Sequence, residues 1–297
     1  MLISLYKKFV YKLNCRIQEV KRRHYRKTLR KDILNYYLAN PTADEEINNA
    51  LIYLKNHNIE NPLIPTSCVL NFNQKVTCSH DSVLNIPYVV HQRKKLYFPQ
   101  KETNKALKRH YLALQEEQSD KSPHRYVTPE FSVATGDVLY DIGSAEGVFV
   151  LDNIEKVRHA VLFEANEQWL NVLQATFAPW KDKVTIVPKY VSDTNDDKNI
   201  TIDMFIKEYG EHLAPDFVKI DVEGAEMKVL EGMRETIANK SFKMAITTYH
   251  YYDDHSKISA FLTEKGFTQE SSKGVTLVGL DEHRAPYFKK ALIRASL

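Results

Sequence analysis

The chain has 297 residues, 43% hydrophobic and 27% charged, which is the composition of a folded protein with one large or two small cores. No apolar run reaches the length that spans a bilayer, and three cysteines (Cys15, Cys68 and Cys78) are too few and too scattered for a disulfide framework or a four-ligand zinc site. The net charge of +3 is unevenly placed: residues 1–31 hold eleven Lys/Arg against the single acid Glu19, a local +10, which leaves −7 on the remainder.

The opening segment is interrupted by Lys7, Lys8 and Lys12, so it has no continuous apolar core and no small-residue cleavage site. An export signal is not expected, and a reducing cytoplasm fits. Residues 1–60 read as a basic helical segment. Leu5, Phe9, Leu13, Ile17 and Val20 recur at helical spacing, as do Leu51 and Leu54 after the break at Asn40-Pro41. The face around Lys21, Arg22, Arg23, Arg26 and Lys27 is either solvated or, with Tyr6, Phe9, Tyr11 and Tyr25 nearby, a contact for an anionic membrane surface.

Residues 61–120 read as a small cap of strands and one helix. Proline-punctuated strands are expected at 68–72, 88–90 and 95–98, followed by a helix over 104–118. A polar connection, SPHRY at 122–126, leads into the last unit, residues 121–297. All nine glycines lie at or beyond Gly136, and there the pattern becomes α/β. Strands are expected at 138–142, 160–164, 184–187, 217–221 and 244–248, with helices at 148–157, 167–177, 201–209, 225–238 and 254–265. Short apolar strands alternating with amphipathic helices predict a Rossmann-like, doubly wound parallel sheet. Two further strand-like pieces, 267–270 and 275–280, predict a terminal hairpin.

The chemistry-bearing stretch is VLYDIGSAEGVFV at 138–150. A strand ends at Asp141, and Gly143 and Gly147 bracket a turn that opens a helix, so backbone can approach a ligand closely at the strand's carboxyl end. The spacing is G-x-x-x-G, which lacks the pyrophosphate cradle of dinucleotide binders. Glu164, 21 residues after Gly143, stands where a carboxylate accepts ribose hydroxyls. Nucleoside recognition without pyrophosphate recognition points to S-adenosyl-methionine, whose ammonium and sulfonium suit acids. The rival reading of Asp141 is a helix or turn cap.

These motifs, together with FEAN at 163–166, TIDMF at 201–205 and KIDVEGAE at 219–226, resemble the FkbM family of S-adenosyl-methionine-dependent methyltransferases over roughly residues 85–297. YLALQEEQSDKSPHRY at 111–126, TYHYYDD at 248–254 and PYFKKALIRA at 286–295 extend the similarity towards members found among glycan and capsule biosynthesis genes. The resemblance implies a class I methyltransferase with Asp141, Gly143, Ser144, Ala145, Glu146 and Gly147 in the cofactor loop. Glu164 would hold the ribose, Ser192 and Asp193 would flank the adenine, and Asp221 and Glu223 would stand beside the methyl group. Many relatives have G-A-N-x-G in the loop, so Glu146 is a departure that adds a charge near the methionine moiety.

The expected reaction is O-methylation of a saccharide hydroxyl. Asp221, Glu223 and His250 are the candidate catalytic groups, because all fall at carboxyl ends of expected strands. Each has a structural rival: Asp221, Glu223 and Glu226 as caps of the helix after Gly224, and His250 as a core histidine. No metal is assigned, since no fixed ligand spacing is present. His124 and Arg125 are candidate substrate-binding residues that reach over the cleft, and Trp169 and Trp180 read as packing or surface. The alternatives are an RNA methyltransferase that uses the basic start as its arm, and a non-catalytic scaffold retaining the fold. The absent phosphate loop argues against an oxidoreductase.

Overall fold

The computed structural model describes residues 2–66, 74–100, 103–280 and 283–297, with side chains described at Gln18 and from Val20 onward. The strand expected at 68–72 lies outside the described residues, as do the side chains of Leu5, Phe9, Leu13 and Ile17. Two helices open the chain, α1 (Leu2–Ala39) and α2 (Glu45–Asn56). Asp44 starts α2 by accepting from the Glu46 and Ile47 amides. At its other end Arg30 donates to the carbonyls of Lys55 at 2.6 Å and His57 at 2.8 Å, while Arg26 donates to Glu60 at 2.7 Å. Part of the basic face therefore terminates the neighbouring helix. Lys21, Arg22 and Lys27 remain exposed. No helix among the described residues is long and apolar enough to cross a membrane.

A small antiparallel sheet follows, made of β1 (Cys78–Asp81), β2 (Ile86–His91) and β3 (Lys94–Tyr97), and then α3 (Asn104–Glu117). The short polar strand β1 carries no apolar alternation and was not expected from the sequence. It exists because it pairs with β2 from Cys78 against Val89 to Asp81 against Ile86.

The main sheet is built from β4 (Val138–Ile142), β5 (His159–Phe163), β6 (Val184–Val187), β9 (Phe217–Ile220), β10 (Lys243–Thr247), β11 (Thr268–Ser271) and β12 (Leu292–Ser296). A two-stranded pair, β7 (Tyr190–Val191) and β8 (Asn199–Ile200), lies beside it. The helices between are α4 (Val148–Asn153), α5 (Glu167–Phe177), α6 (Ile202–Tyr209), α7 (Glu226–Glu231), α8 (Arg234–Asn239) and α9 (Asp254–Glu264). Strand order is β11-β12-β10-β9-β4-β5-β6. The run from β6 to β10 is parallel, and β12 is antiparallel to both its neighbours. This is the expected doubly wound α/β sheet, with one reversed strand, β12, among the described residues. From β4 the chain first moves outward through β5 and β6, then crosses back to β9 on the other side. The switch point, where open sheets bind ligands, therefore falls between β4 and β9.

Two expectations need correction. The terminal hairpin does not form between 267–270 and 275–280. Val275 and Leu277 instead join Leu29, Ile33, Tyr37, Ala50 and Leu54 in a core under the two N-terminal helices, and Leu277 donates to the Pro62 carbonyl at 2.8 Å. The partner of β11 is β12, which inserts between β11 and β10. The helix expected at 225–238 breaks at Gly232, where a Cβ would stand 2.0 Å from the Ser192 carbonyl oxygen. Asp203 restarts the helix as α8 by accepting from the Glu235 and Thr236 amides.

On β12, buried Arg294 donates to the carbonyls of Arg125 at 2.6 Å and Tyr126 at 3.2 Å, tying the 122–126 connection to the sheet. Arg294→Met leaves these two carbonyls without a partner and is expected to cost about 1–3 kcal/mol in urea unfolding, with no recovery in Arg294→Lys, whose single ammonium lacks the fork.

Candidate active site

Gly143 follows β4 directly. Its φ is +79°, and a Cβ there would stand 1.9 Å from the Asp221 carbonyl oxygen, so only glycine lets the loop touch the end of β9. Gly147 opens α4 at φ +77° against Leu173 and Phe177. Ser144 donates to the Asp141 carbonyl at 2.7 Å and fixes the turn. Ala145 and Glu223 adopt left-handed φ of 45° and 54° without being glycine. Both line the same opening, the kind of place where such strain is retained.

Asp141 borders the second cavity described below. It is 1% exposed and lies 2.9 Å from the Lys219 ammonium, which also donates to the Gly143 carbonyl at 2.6 Å. Burial opposes the Lys219 charge, but Asp141 and Asp221 hold the ammonium above its usual range. Lys219 was missed from the sequence although it begins KIDVEGAE. An apolar strand position gives no sign of an inward-facing lysine.

Glu164 bridges two segments at the end of β5. Its Oε2 accepts from the Ala145 amide at 2.9 Å and its Oε1 from the Asn166 amide at 2.7 Å. It opens onto a cavity of about 520 Å³ walled by Ile142, Phe163, Trp169, Val191 and Val222, with Ser192 on its rim. Trp169, read from the sequence as packing, thus belongs to the wall. Ser192 donates to Asp193 at 3.0 Å, but Asp193 is exposed and does not line the cavity.

A second cavity of about 400 Å³ adjoins the first across Gly143, Ala145, Asp221 and Glu223. It is lined by Glu117, His124, Tyr126, Glu146, Lys219 and Tyr249 among others. Glu146 is 6% exposed, and burial pushes its carboxyl up to about 7. Glu117 of α3 is likewise raised by burial. The 61–120 region therefore contributes an acid to the cleft, which the sequence did not signal.

Asp221, just beyond β9, stands between the two cavities. Tyr126 donates to its Oδ2 at 2.7 Å, and the His124 Nε2 lies 3.3 Å from that oxygen. Thr247 donates to Oδ1 at 3.3 Å. Burial works against its charge, yet His124, Lys219 and His250 together hold the carboxyl well below the usual carboxylate range.

His124, expected to grip substrate, is 3% exposed, lines the second cavity and lies between Asp221 and Tyr249. Arg125 pairs with exposed Asp120 and lines neither cavity. His250 is 1% exposed and lines neither cavity; its Nε2 lies 3.7 Å from Asp221 and 3.4 Å from Glu223, and its Nδ1 2.9 Å from Glu226. It stands behind Asp221, away from both cavities. Glu226 does accept backbone amides at the helix start, from Val222 at 3.1 Å and Gly224 at 3.4 Å. Its contact with His250 is the role that a capping reading omits. Glu223 is 79% exposed at the mouth.

Residues 180–268 match the Methyltransferase FkbM domain family, a span of less than a third of the chain that contains KIDVEGAE and His250. No curated protein matches the chain significantly. Among solved structures, a Methyltransferase FkbM from Methylobacillus flagellatus KT is 19% identical with a TM-score of 0.43, over 55% of this chain and 44% of that one. The precorrin-6Y C5,15-methyltransferase of Geobacter metallireducens GS-15 is 17% identical with a TM-score of 0.41, over 61% of this chain and 92% of that one. The chain thus spans less than half the length of the M. flagellatus protein it matches.

Two outcomes follow from the buried charges. Lys219→Met strands the Asp141 carboxylate and is expected to cost about 3–5 kcal/mol, whereas Lys219→Met with Asp141→Asn regains more than half of that in denaturant unfolding. Glu146 has an ordinary value of 4.5 and about 7 when folded, so between these pH values the native state keeps a proton that the unfolded chain has released. Stability then falls as pH rises through that window, by on the order of 3 kcal/mol, and Glu146→Gln removes this component from the pH dependence of unfolding.

Proposed function

We propose that this chain, whose residues 180–268 match the Methyltransferase FkbM domain family, is an S-adenosyl-methionine-dependent methyltransferase that methylates a hydroxyl of a saccharide in surface-glycan or capsule biosynthesis. The observation that carries the reading is the pair of adjoining cavities at the switch point. One is apolar-walled and ends on Glu164; the other is acidic, and they meet at Gly143 and Asp221. The first suits an adenosine, with Trp169 and Val191 against the base and Glu164 on the ribose. The acids Glu146 and Glu117 suit the ammonium of the methionine part. The sulfonium then comes to lie near Asp221, where the cavities join.

The acceptor hydroxyl enters the second cavity, where Tyr126, His124 and Tyr249 offer the polar contacts that a sugar requires. Holding oxygen, methyl carbon and sulfur in line supplies much of the rate. The oxygen's lone pair forms the new C–O bond as the S–CH₃ pair returns to sulfur, leaving S-adenosyl-homocysteine. Asp221 stays ionised, so it is a weak base towards a resting alcohol. It accepts a hydrogen bond from the hydroxyl and takes its proton once bond formation makes that oxygen strongly acidic. A lipid-linked acceptor would bring the protein to an anionic membrane, a placement supported by the exposed Lys21, Arg22 and Lys27 of α1.

The test pairs binding with transfer. Glu164→Ala is expected to weaken S-adenosyl-methionine binding by about 1–3 kcal/mol in calorimetry. Asp221→Asn is expected to retain binding while losing on the order of 100- to 10,000-fold in methyl transfer. Label from S-adenosyl-methionine should appear on nucleotide-activated, lipid-linked or polymeric saccharides. Labelling of RNA alone, or tighter binding of NAD than of S-adenosyl-homocysteine, would overturn the reading.

A further inference from the structure

Behind the junction of the two cavities, Asp221, Glu226 and His250 bring ligand atoms within 4.8 Å of one another. We propose that these three side chains form a binding site for one divalent metal ion, set behind Asp221 where the two cavities meet. The donor set is two carboxylates and an imidazole, a combination suited to Mn²⁺, Fe²⁺ or Zn²⁺ as well as to Mg²⁺. Octahedral coordination at about 2.1 Å places adjacent donors about 3 Å apart and opposite donors about 4.2 Å apart. One imidazole nitrogen and one oxygen from each carboxylate lie within 4.8 Å of one another, close enough for small side-chain adjustments to reach that geometry. The Thr247 hydroxyl, 3.2 Å from Glu226 Oε1 and 3.3 Å from Asp221 Oδ1, adds a neutral oxygen at the same place.

Two independent observations indicate that the cluster serves a ligand. His250 and Glu226 are each 1% exposed; Glu226 Oε2 has no hydrogen-bond partner, and the His250 nitrogens, though close to Glu226 and Glu223, make no well-aligned hydrogen bond. Buried polar atoms are rarely left in that condition. The charges also do not balance. Asp221, Glu223 and Glu226 surround the imidazole, buried Asp254 is close enough to interact with it, and the nearby ammonium of Lys219 is already engaged with Asp141 and Gly143. Glu223 is exposed and solvated; of the other three carboxylates a protonated imidazole offsets one, whereas a divalent cation together with the cofactor's sulfonium would offset all three. A metal bound there would sit behind Asp221, which alone of the three lines the cavities, and would fix the orientation of the carboxylate that meets the acceptor hydroxyl. That role rests on the methyltransferase reading; the binding site itself does not.

The test is Mn²⁺ titration of the full chain after removal of metals by chelation, without acceptor, followed by electron paramagnetic resonance. Saturable binding of one Mn²⁺ per chain is expected, with a nitrogen coupling in the pulsed spectrum that disappears in His250→Gln. Asp221→Asn and Glu226→Gln should each weaken binding about tenfold or more. S-adenosyl-methionine calorimetry and melting temperature on the same samples report whether each variant is folded. Should a variant not fold, the nitrogen signal of the native protein decides the matter. Absence of saturable binding, absence of nitrogen coupling, or unchanged binding in folded Asp221→Asn would overturn the site and leave an imidazolium clamped by carboxylates. Because nothing in this experiment depends on methyl transfer, its failure with intact Glu164-dependent cofactor binding would strike the metal alone.

Discussion

The contact on which the site depends is the meeting of Gly143 with the end of β9, secured by Lys219. The loop after β4 approaches the Asp221 carbonyl so closely that no side chain fits between them. Lys219 reaches across from β9 to neutralise Asp141 on β4 and to hold the Gly143 carbonyl. This pin sits at the point where the sheet reverses its winding. A crevice opens there without further construction, because the loops after β4 and β9 leave in opposite directions. The buried ion pair is costly to desolvate. Its value is therefore in fixing one geometry for the backbone of the cofactor loop more than in stabilising the fold.

From that pin the two cavities acquire opposite characters. On one side β5 ends in Glu164, whose carboxylate joins the Ala145 amide to the Asn166 amide and presents an acid beside apolar walls. On the other, the 122–126 connection and α3 bring His124, Tyr126 and Glu117 over the sheet. Arg294 on the reversed strand β12 holds that connection by two carbonyls. The strand that reverses in the sheet thus also positions the groups that hold Asp221.

The small N-terminal helices are bound into the same body. Leu29, Ile33 and Leu54 share a core with Val275, Leu277 and Phe288, so the loop between β11 and β12 is folded under α1 and α2 and, among its described residues, makes only an isolated bridge between Thr276 and Lys289. Residues 275–280 are apolar and β-prone, and in isolation such a stretch reads as a strand. Its apolar side chains found another partner. Conversely β12, with Arg294 in its middle, reads poorly as an interior strand until the carbonyls that satisfy the guanidinium are known.

The amino-acid sequence by itself determined the alternation of strands and helices, the G-x-x-x-G turn after Asp141, the carboxylate at the end of the second strand and the KIDVEGAE motif. All of these are local: they depend on side-chain periodicity, on the backbone freedom of Gly143 and Gly147, and on spacing along one chain. Tertiary structure alone decided which of the charged residues face one another. Lys219 lies opposite Asp141 because β9 is the neighbour of β4, a relation that skips β5 and β6. Glu226, a helix cap by position, becomes the partner of His250 because α7 begins beside the end of β10. Arg125, which by composition should grip a ligand, turns outward to Asp120, while its neighbours His124 and Tyr126 turn inward to Asp221. Charge is long-ranged but its effect depends on burial and on the neighbour across the fold, and neither is written in the order of residues.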